Sequence, residues 1–342
     1  MPMSERIAFT RTLHVMLKSG LSLSDALKTF ENQTKKNLKS VIGALREMVE
    51  GGMPLSKAML EYPRTFPQIY VRLIQAGEVS GRMEETLKQV VVQLRAQLSL
   101  RNKVRNALAY PSIIVLAMLG IGTILVVVVL PRLVDLYAGS NLDLPWPTRF
   151  VLGLTAFLQS YWLILLPSVI ILIVLMVLFN RFDPGKKFYS WLMLHIPIAN
   201  SLSIKLNNAR LLRTLQGFMV TDVPIVQSIK LLGTTTKNIY YQDALNSISQ
   251  RLKEGQGISQ SFGIYPKLFP PLVQEMITVG EQAGTIEENL DDLSTFYEEE
   301  LELELNTLTT LIEPILILVI GGGIGVVAFA VIWPMYSLVN QI

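Results

Sequence analysis

Apolar positions along the first hundred residues recur at steps of three and four. Ile7, Leu13 and Leu17, then Leu23, Ala26, Leu27 and Phe30, set the spacing, which is that of amphipathic helices with one face turned to a core. Punctuation divides the pattern. Ser22 with Asp25 three residues on resembles a capping box, with Asp in place of the usual Glu. Pro54 and Pro224 suit first helical turns, where a missing N–H costs nothing, and Gly51-Gly52 and Gly255 suit helix ends. The pattern predicts helices near 5–19, 22–32, 36–50, 54–61, 67–76 and 81–109. It predicts six more near 206–220, 224–232, 238–254, 258–264, 270–279 and 284–312.

Three stretches depart from this pattern. Residues 111–131, 150–180 and 314–342 carry no charge, and each is long enough to cross a hydrocarbon core, which takes about 20 apolar residues in a helix. They predict membrane spans at 111–131, 159–180 and 313–336. The first apolar run begins after residue 100, behind a charged, mixed segment, so none reads as a cleavable signal peptide. Basic residues near spans stay on the cytoplasmic side. Arg101, Lys103 and Arg105 precede the first span, and Arg181, Lys186 and Lys187 follow the second. The connector holds only Arg132 and Arg149, balanced by Asp135 and Asp143, with Tyr137, Trp146, Tyr161 and Trp162 forming an interfacial aromatic belt.

The expected fold is an all-α membrane protein with two homologous cytoplasmic six-helix bundles and three transmembrane helices. The first bundle covers 1–110, and the first span, 111–131, leads to a periplasmic or interfacial connector over 132–158. The second span, 159–180, and a cytoplasmic linker, 181–205, precede the second bundle, 206–312. The third span, 313–336, ends in a short periplasmic tail, 337–342.

The two sets of six helices are repeats. "RTLHVMLKSGLSLSDALK" (11–28) aligns with "RTLQGFMVTDVPIVQSIK" (213–230) at a shift of 202. "YPRTFP" (62–67) aligns with "YPKLFP" (265–270), and "GEVSG" (77–81) with "GEQAG" (280–284), at a shift of 203 that holds as far as Pro111 and Pro314. Two crossings separate the repeats and keep them in one compartment, in a parallel arrangement. Pro63 and Pro67, and again Pro266 and Pro270, bracket an aromatic residue. Proline moves the residue before it out of the helical region, so helix four stops and helix five starts afresh, with the phenylalanine free to pack inward. Gly77, Glu78 and Gly81, matched by Gly280, Glu281 and Gly284, mark the corner between helices five and six. From Gly284 to Trp333 nothing stops helix six, and Pro111 and Pro314 at the membrane entrance predict kinks. The geometry is that of a lever joining a bundle to a span.

Charge separates the repeats. Residues 1–110 hold 17 Lys and Arg against 9 Asp and Glu, whereas 181–313 hold 11 against 16. The surfaces are therefore suited to each other or to different partners. The chain has no cysteine, which excludes disulfides, thiol catalysis and cysteine-bound zinc. No nucleotide-binding loop, zinc-protease or hydrolase motif is present, and His14 and His195 are the only histidines. No enzyme activity, cofactor, metal or nucleic-acid contact is expected. The run "EEELELE" (298–304) offers carboxylates at Glu298, Glu299, Glu300, Glu302 and Glu304, but in no calcium-loop spacing, and reads as a solvated or partner-facing face. "GGGIG" (321–325), Gly120 and Gly122 suit close helix packing in the bilayer. Glu313 stands beside Pro314 at the mouth of the third span, where an ionisable group is costly. It either reaches water or meets a basic group such as the N-terminal amine of a membrane-embedded helix.

The chain resembles the inner-membrane platform proteins of type II secretion and type IV pilus machines, the GspF/PilC family. The resemblance rests on "FTRTLHVMLKSGLSLSDALK", "YPRTFPQIYVRLIQAGEVSGRMEETL", "KVRNALAYPSIIV", "LFPPLVQEMITVGEQAGTIEENL" and "IEPILIL", in that order, and covers nearly the whole chain. It implies a non-enzymatic assembly platform in the bacterial inner membrane that forms a homo-oligomer. The implied partners are a hexameric assembly ATPase on the cytoplasmic side, pilin or pseudopilin subunits in the bilayer, and other components of the machine. Longer members carry some tens of residues before the first bundle, whereas here the bundle starts almost at Met1, so an ATPase contact made by that segment is either lost or passes through the bundle itself. That short form suits a type IVb-like pilus or a similar compact system. The alternative is a small transporter or permease subunit, for which three spans without embedded charges are few.

Overall fold

The computed structural model describes residues 1–34, 36–124 and 182–339, with scattered helical residues between 149 and 179. Among the described residues the regular elements are helices. In the first repeat α1 spans Met3–Lys18, α2 Leu23–Gln33, α3 Lys36–Glu50, α4 Leu55–Leu60, α5 Gln68–Ser80 and α6 Met83–Ile124. A helix without counterpart follows, α7 (Asp183–His195). The second repeat then runs α8 (Pro197–Val220), α9 (Ile225–Thr235), α10 (Ile239–Lys253), α11 (Ile258–Gly263), α12 (Pro271–Ala283) and α13 (Ile286–Val339).

Most predicted elements are present, with instructive differences. Helices α5 and α12 run four residues past their expected ends, through Gly77 and Gly280, to stop at Gly81 and Gly284. Pro54 and Pro224 are N-caps rather than first-turn residues. The segment expected to link the second span to the second repeat is helical, because Pro197 occupies an N-terminal position of α8 and starts that helix early. The second span, Arg132, Asp135, Asp143, Arg181, Tyr137, Trp146 and Trp162 lie wholly or largely outside the described residues.

Each repeat packs around the phenylalanine of its Phe-Pro pair. Phe66 is 1% exposed, with its ring centroid 5.7 Å from Phe9 and 5.9 Å from Tyr70. Phe269 stands 5.5 Å from Tyr241 and 4.8 Å from Phe262. Each such burial contributes about 1.5–3 kcal/mol. The preceding turn is closed alike in both places: the Tyr62 carbonyl accepts from Thr65 and Phe66 N–H, and the Tyr265 carbonyl from Leu268 and Phe269 N–H. Buried hydroxyls find partners. Tyr70 and Thr10 share a hydrogen bond of 2.9 Å, and Tyr241 donates to the Leu268 carbonyl at 2.9 Å.

The chain separates into two compact units. One comprises Met1–Lys103 and Lys186–Glu302, and so contains most of both repeats; the other comprises Val104–Gly185 and Leu303–Ile342. Helix α6 has 42 residues and continues through Pro111, while α13 has 54 and continues through Pro314. Proline removes the hydrogen bond to the carbonyl four residues back, which for Pro111 is that of Ala107. The Thr309 hydroxyl of α13 lies 3.5 Å from that carbonyl. Two helices among the described residues are long and apolar enough to cross a membrane, and only 6% of each apolar window is buried inside the protein, which excludes a core role for them.

Candidate functional site

The two pentads divide three tasks among their residues. The first glycine permits close approach: a Cβ on Gly77 would come 2.5 Å from Thr86 Oγ1, and one on Gly280 would come 2.9 Å from Ile286 Cα. The last glycine ends the helix in the left-handed region, with φ of 70° at Gly81 and 74° at Gly284. The glutamate between them serves a different helix. Glu78 accepts from Leu55 N–H and, at 3.0 Å, from Ser56 N–H. Glu281 accepts from Ile258 N–H at 2.9 Å and Ser259 N–H at 3.1 Å. Each carboxylate thus caps the N-terminus of a six-residue helix, α4 or α11, whose own N-cap is Pro54 or Gly257 and provides no side-chain acceptor. This role was missed in the sequence, although the shared glutamate at equivalent positions was its signal. Pro63, Pro67, Pro266 and Pro270 hold the adjoining corners, and Pro67 and Pro270 are the N-caps of α5 and α12.

Within the same unit the repeats meet along a seam. Gln93 of α6 lies against Gly217 of α8, where a Cβ would come 2.9 Å from Gln93 Oε1. Asp222, just beyond α8, pairs with Arg82 at 2.7 Å. Asp222 has φ of 59°, the one non-glycine in the left-handed region among the described residues, and its first-repeat counterpart is Gly20, with φ of 79°. Asparagine and aspartate tolerate this region better than other side chains. The aspartate therefore ends the helix as the glycine does and adds a tie to the other repeat. Glu85 and Asp222 hold the Arg82 guanidinium above its ordinary range, with the Glu85 hydrogen bond the larger cause. Lys103 pairs with Glu302 across the seam. Beside Asp222 a cleft of about 620 Å³ opens between α5 and α9, lined by Arg72, Gln75, Val79, Gln227, Lys230 and neighbours.

The acidic run on α13 is largely engaged within the chain. Glu298 pairs with Arg213 at 2.9 Å, Glu300 with Lys205 at 2.9 Å, and Glu302 with Lys103, while Asp291 reaches the same Arg213 at 2.6 Å. No group of three or more metal-binding side chains is assembled among the described residues. His14 Nδ1 is 3.1 Å from the Glu84 carbonyl, and His195 stacks on Trp191 at 4.4 Å, so both histidines serve local packing. Glu313, Pro314 and Pro111 belong to the other unit, where Glu313 and Pro314 are exposed and Pro111 is buried. The structure thus brings the pentad residues onto the short helices and leaves Glu313 without a described partner.

The family model for "Type II secretion system (T2SS), protein F" matches residues 9–131 and 211–334. The chain belongs to this family. The two matched segments begin 202 residues apart and end 203 apart, the shift read from the repeat. The chain is 29% identical over 337 residues to the type IV pilus assembly protein PilC of Myxococcus xanthus, covering 98% of this chain and 81% of that protein. It is 30% identical over 341 residues to type II secretion system protein F of Xanthomonas campestris pv. campestris, covering 98% and 83%. With PilC of Thermus thermophilus it shares 28% over 335 residues, covering 98% and 82%.

Proposed function

We propose that this family member is a non-enzymatic inner-membrane platform for assembling a type IV pilus or type II secretion filament, driven by a partner ATPase. The observation that carries this reading is the pair α6 and α13. Each leaves the six-helix fold of its repeat and continues without a break into a charge-free stretch that the protein itself does not bury. A helix of this kind transmits displacement along its axis. The family membership and the names of the relatives support the filament as the destination. In this reading the two repeats are cytoplasmic bundles, three spans cross the inner membrane, and the C-terminus is periplasmic. The energy comes from a hexameric ATPase touching the bundles, and pilin or pseudopilin subunits are met in the bilayer, with Glu313 placed to receive a basic group there.

The test is photo-crosslinking in cells from positions 75 and 227 on the α5–α9 cleft and from position 313. Recovery of the assembly ATPase from the first two and of a pilin-like subunit from the third supports the coupling. ATP hydrolysis by the purified chain, or wild-type filament output from a deletion strain, overturns it.

A further inference from the structure

The repeats are joined through unlike faces. The first repeat uses α5 and α6; the second uses α8 and α9. At the seam Gln93 is 5% exposed and Thr221 6%. The counterparts of Gly217 and Gln93 are Val15 and Phe296, and they stand 51% and 42% exposed. Leu21, counterpart of Val223, is also exposed. So the α1–α2 face of the first repeat and the α12–α13 face of the second remain open, although each is homologous to a face that is covered in the same chain. A contact between unlike faces does not close on itself; it continues into a ring or a row.

Charge favours the continuation over the original. Arg72 and Lys230 both line the internal cleft, where the one acid, Asp222, is already paired with Arg82. Their counterparts on the open faces are Glu275 and Lys28, of opposite sign, both exposed and in none of the ion pairs among the described residues. The counterparts of Arg82 and Asp222 are Thr285 and Gly20, which are uncharged and do not repel. Where Gly217 and Gln93 meet inside the chain, the open faces carry the apolar pair Val15 and Phe296.

We propose that the α12–α13 face of one chain docks on the α1–α2 face of a second copy of this chain, extending between chains the contact that joins the repeats within one. This specifies the oligomer of the platform reading and rests on it. The chain has no cysteine, so disulfide trapping has no background. Full-length Val15→Cys and Phe296→Cys variants, co-expressed in membranes and oxidised, are expected to form a mixed dimer, and the double variant a ladder. Adding Lys28→Glu should lower the mixed yield about tenfold, and Glu275→Lys in the other chain should restore it. Crosslinks only between like positions, no crosslink in a sample whose mass exceeds one chain, a monomer at every concentration, or failure of the charge swap each overturns the proposal. Trapping reads only the contact between chains, so its failure leaves the ATPase coupling standing, and loss of that coupling leaves the trapping result intact.

Discussion

Removing the pentad glutamates separates capping from corner geometry. Glu78 satisfies two main-chain N–H groups on α4, at Leu55 and Ser56, whose residues are 0% and 3% exposed. In Glu78→Ala those donors lie where water reaches poorly, and unsatisfied buried donors cost about 1–3 kcal/mol each before relaxation. A loss of about 2 kcal/mol is a fair central value, at the upper end of measured N-cap substitutions. Glu281 does the same for Ile258 and Ser259 but in an exposed setting, where water replaces it, so Glu281→Ala should cost about 1 kcal/mol. At tenfold per 1.4 kcal/mol, amide exchange should rise about 30-fold at residues 55–56 and about 5-fold at 258–259. The assay is hydrogen exchange by mass spectrometry on the full-length protein in detergent, with peptides covering α4 and α11. Glutamine keeps one acceptor oxygen and should show roughly half of each energetic effect. Unchanged protection in both alanine variants would refute the capping account, and a larger effect at Glu281 than at Glu78 would refute the burial argument.

Gly280→Ala should cost about 1–3 kcal/mol, because its Cβ meets the Ile286 backbone and no side-chain change relieves it. In Gly77→Ala the three nearest atoms all belong to the Thr86 side chain, so Thr86→Gly should rescue it in part; thermal melts of Gly280→Ala, Gly77→Ala, Thr86→Gly and the Gly77→Ala/Thr86→Gly double variant decide this. Asp222→Gly removes a strained φ, about 1 kcal/mol, but also the tie to Arg82. It should hold the melting temperature while loosening the seam, read as faster exchange in α9, whereas Asp222→Ala should lower the melting temperature and loosen the seam as well. Burial first, then Glu300, pushes the Tyr297 phenol up to about 12 from an ordinary value of 10.0. A raised phenol contributes stability that is complete below pH 10 and lost between there and 12, so Tyr297→Phe should flatten the alkaline limb of a stability–pH curve.

The repeat, the helices and the proline corners were legible because they are local: spacing, a Phe between prolines, a glycine at a helix end. The extents of α5 and α12 were not, because a glycine inside a helix looks the same in sequence as one that ends it; only the neighbouring Thr86 or Ile286 reveals its use. The caps were hidden for a related reason. Glu78 acts on a helix 22 and 23 residues earlier, and no pattern within one helix records that. The opposite charges of the two repeats were visible, but not that the acids of α13 are spent on Arg213, Lys205 and Lys103. Nor did the shared punctuation of the repeats betray that they would use different faces to meet.

The pentads have an evolutionary consequence. Five residues fix the hardest corner of each repeat, through contacts that lie almost wholly inside that repeat, while Arg72 and Glu275, or Gly20 and Asp222, have diverged at equivalent places on the outside. A duplicated gene built this way can trade neighbours on one half while the other half keeps its own, and neither exchange endangers the frame that both inherited.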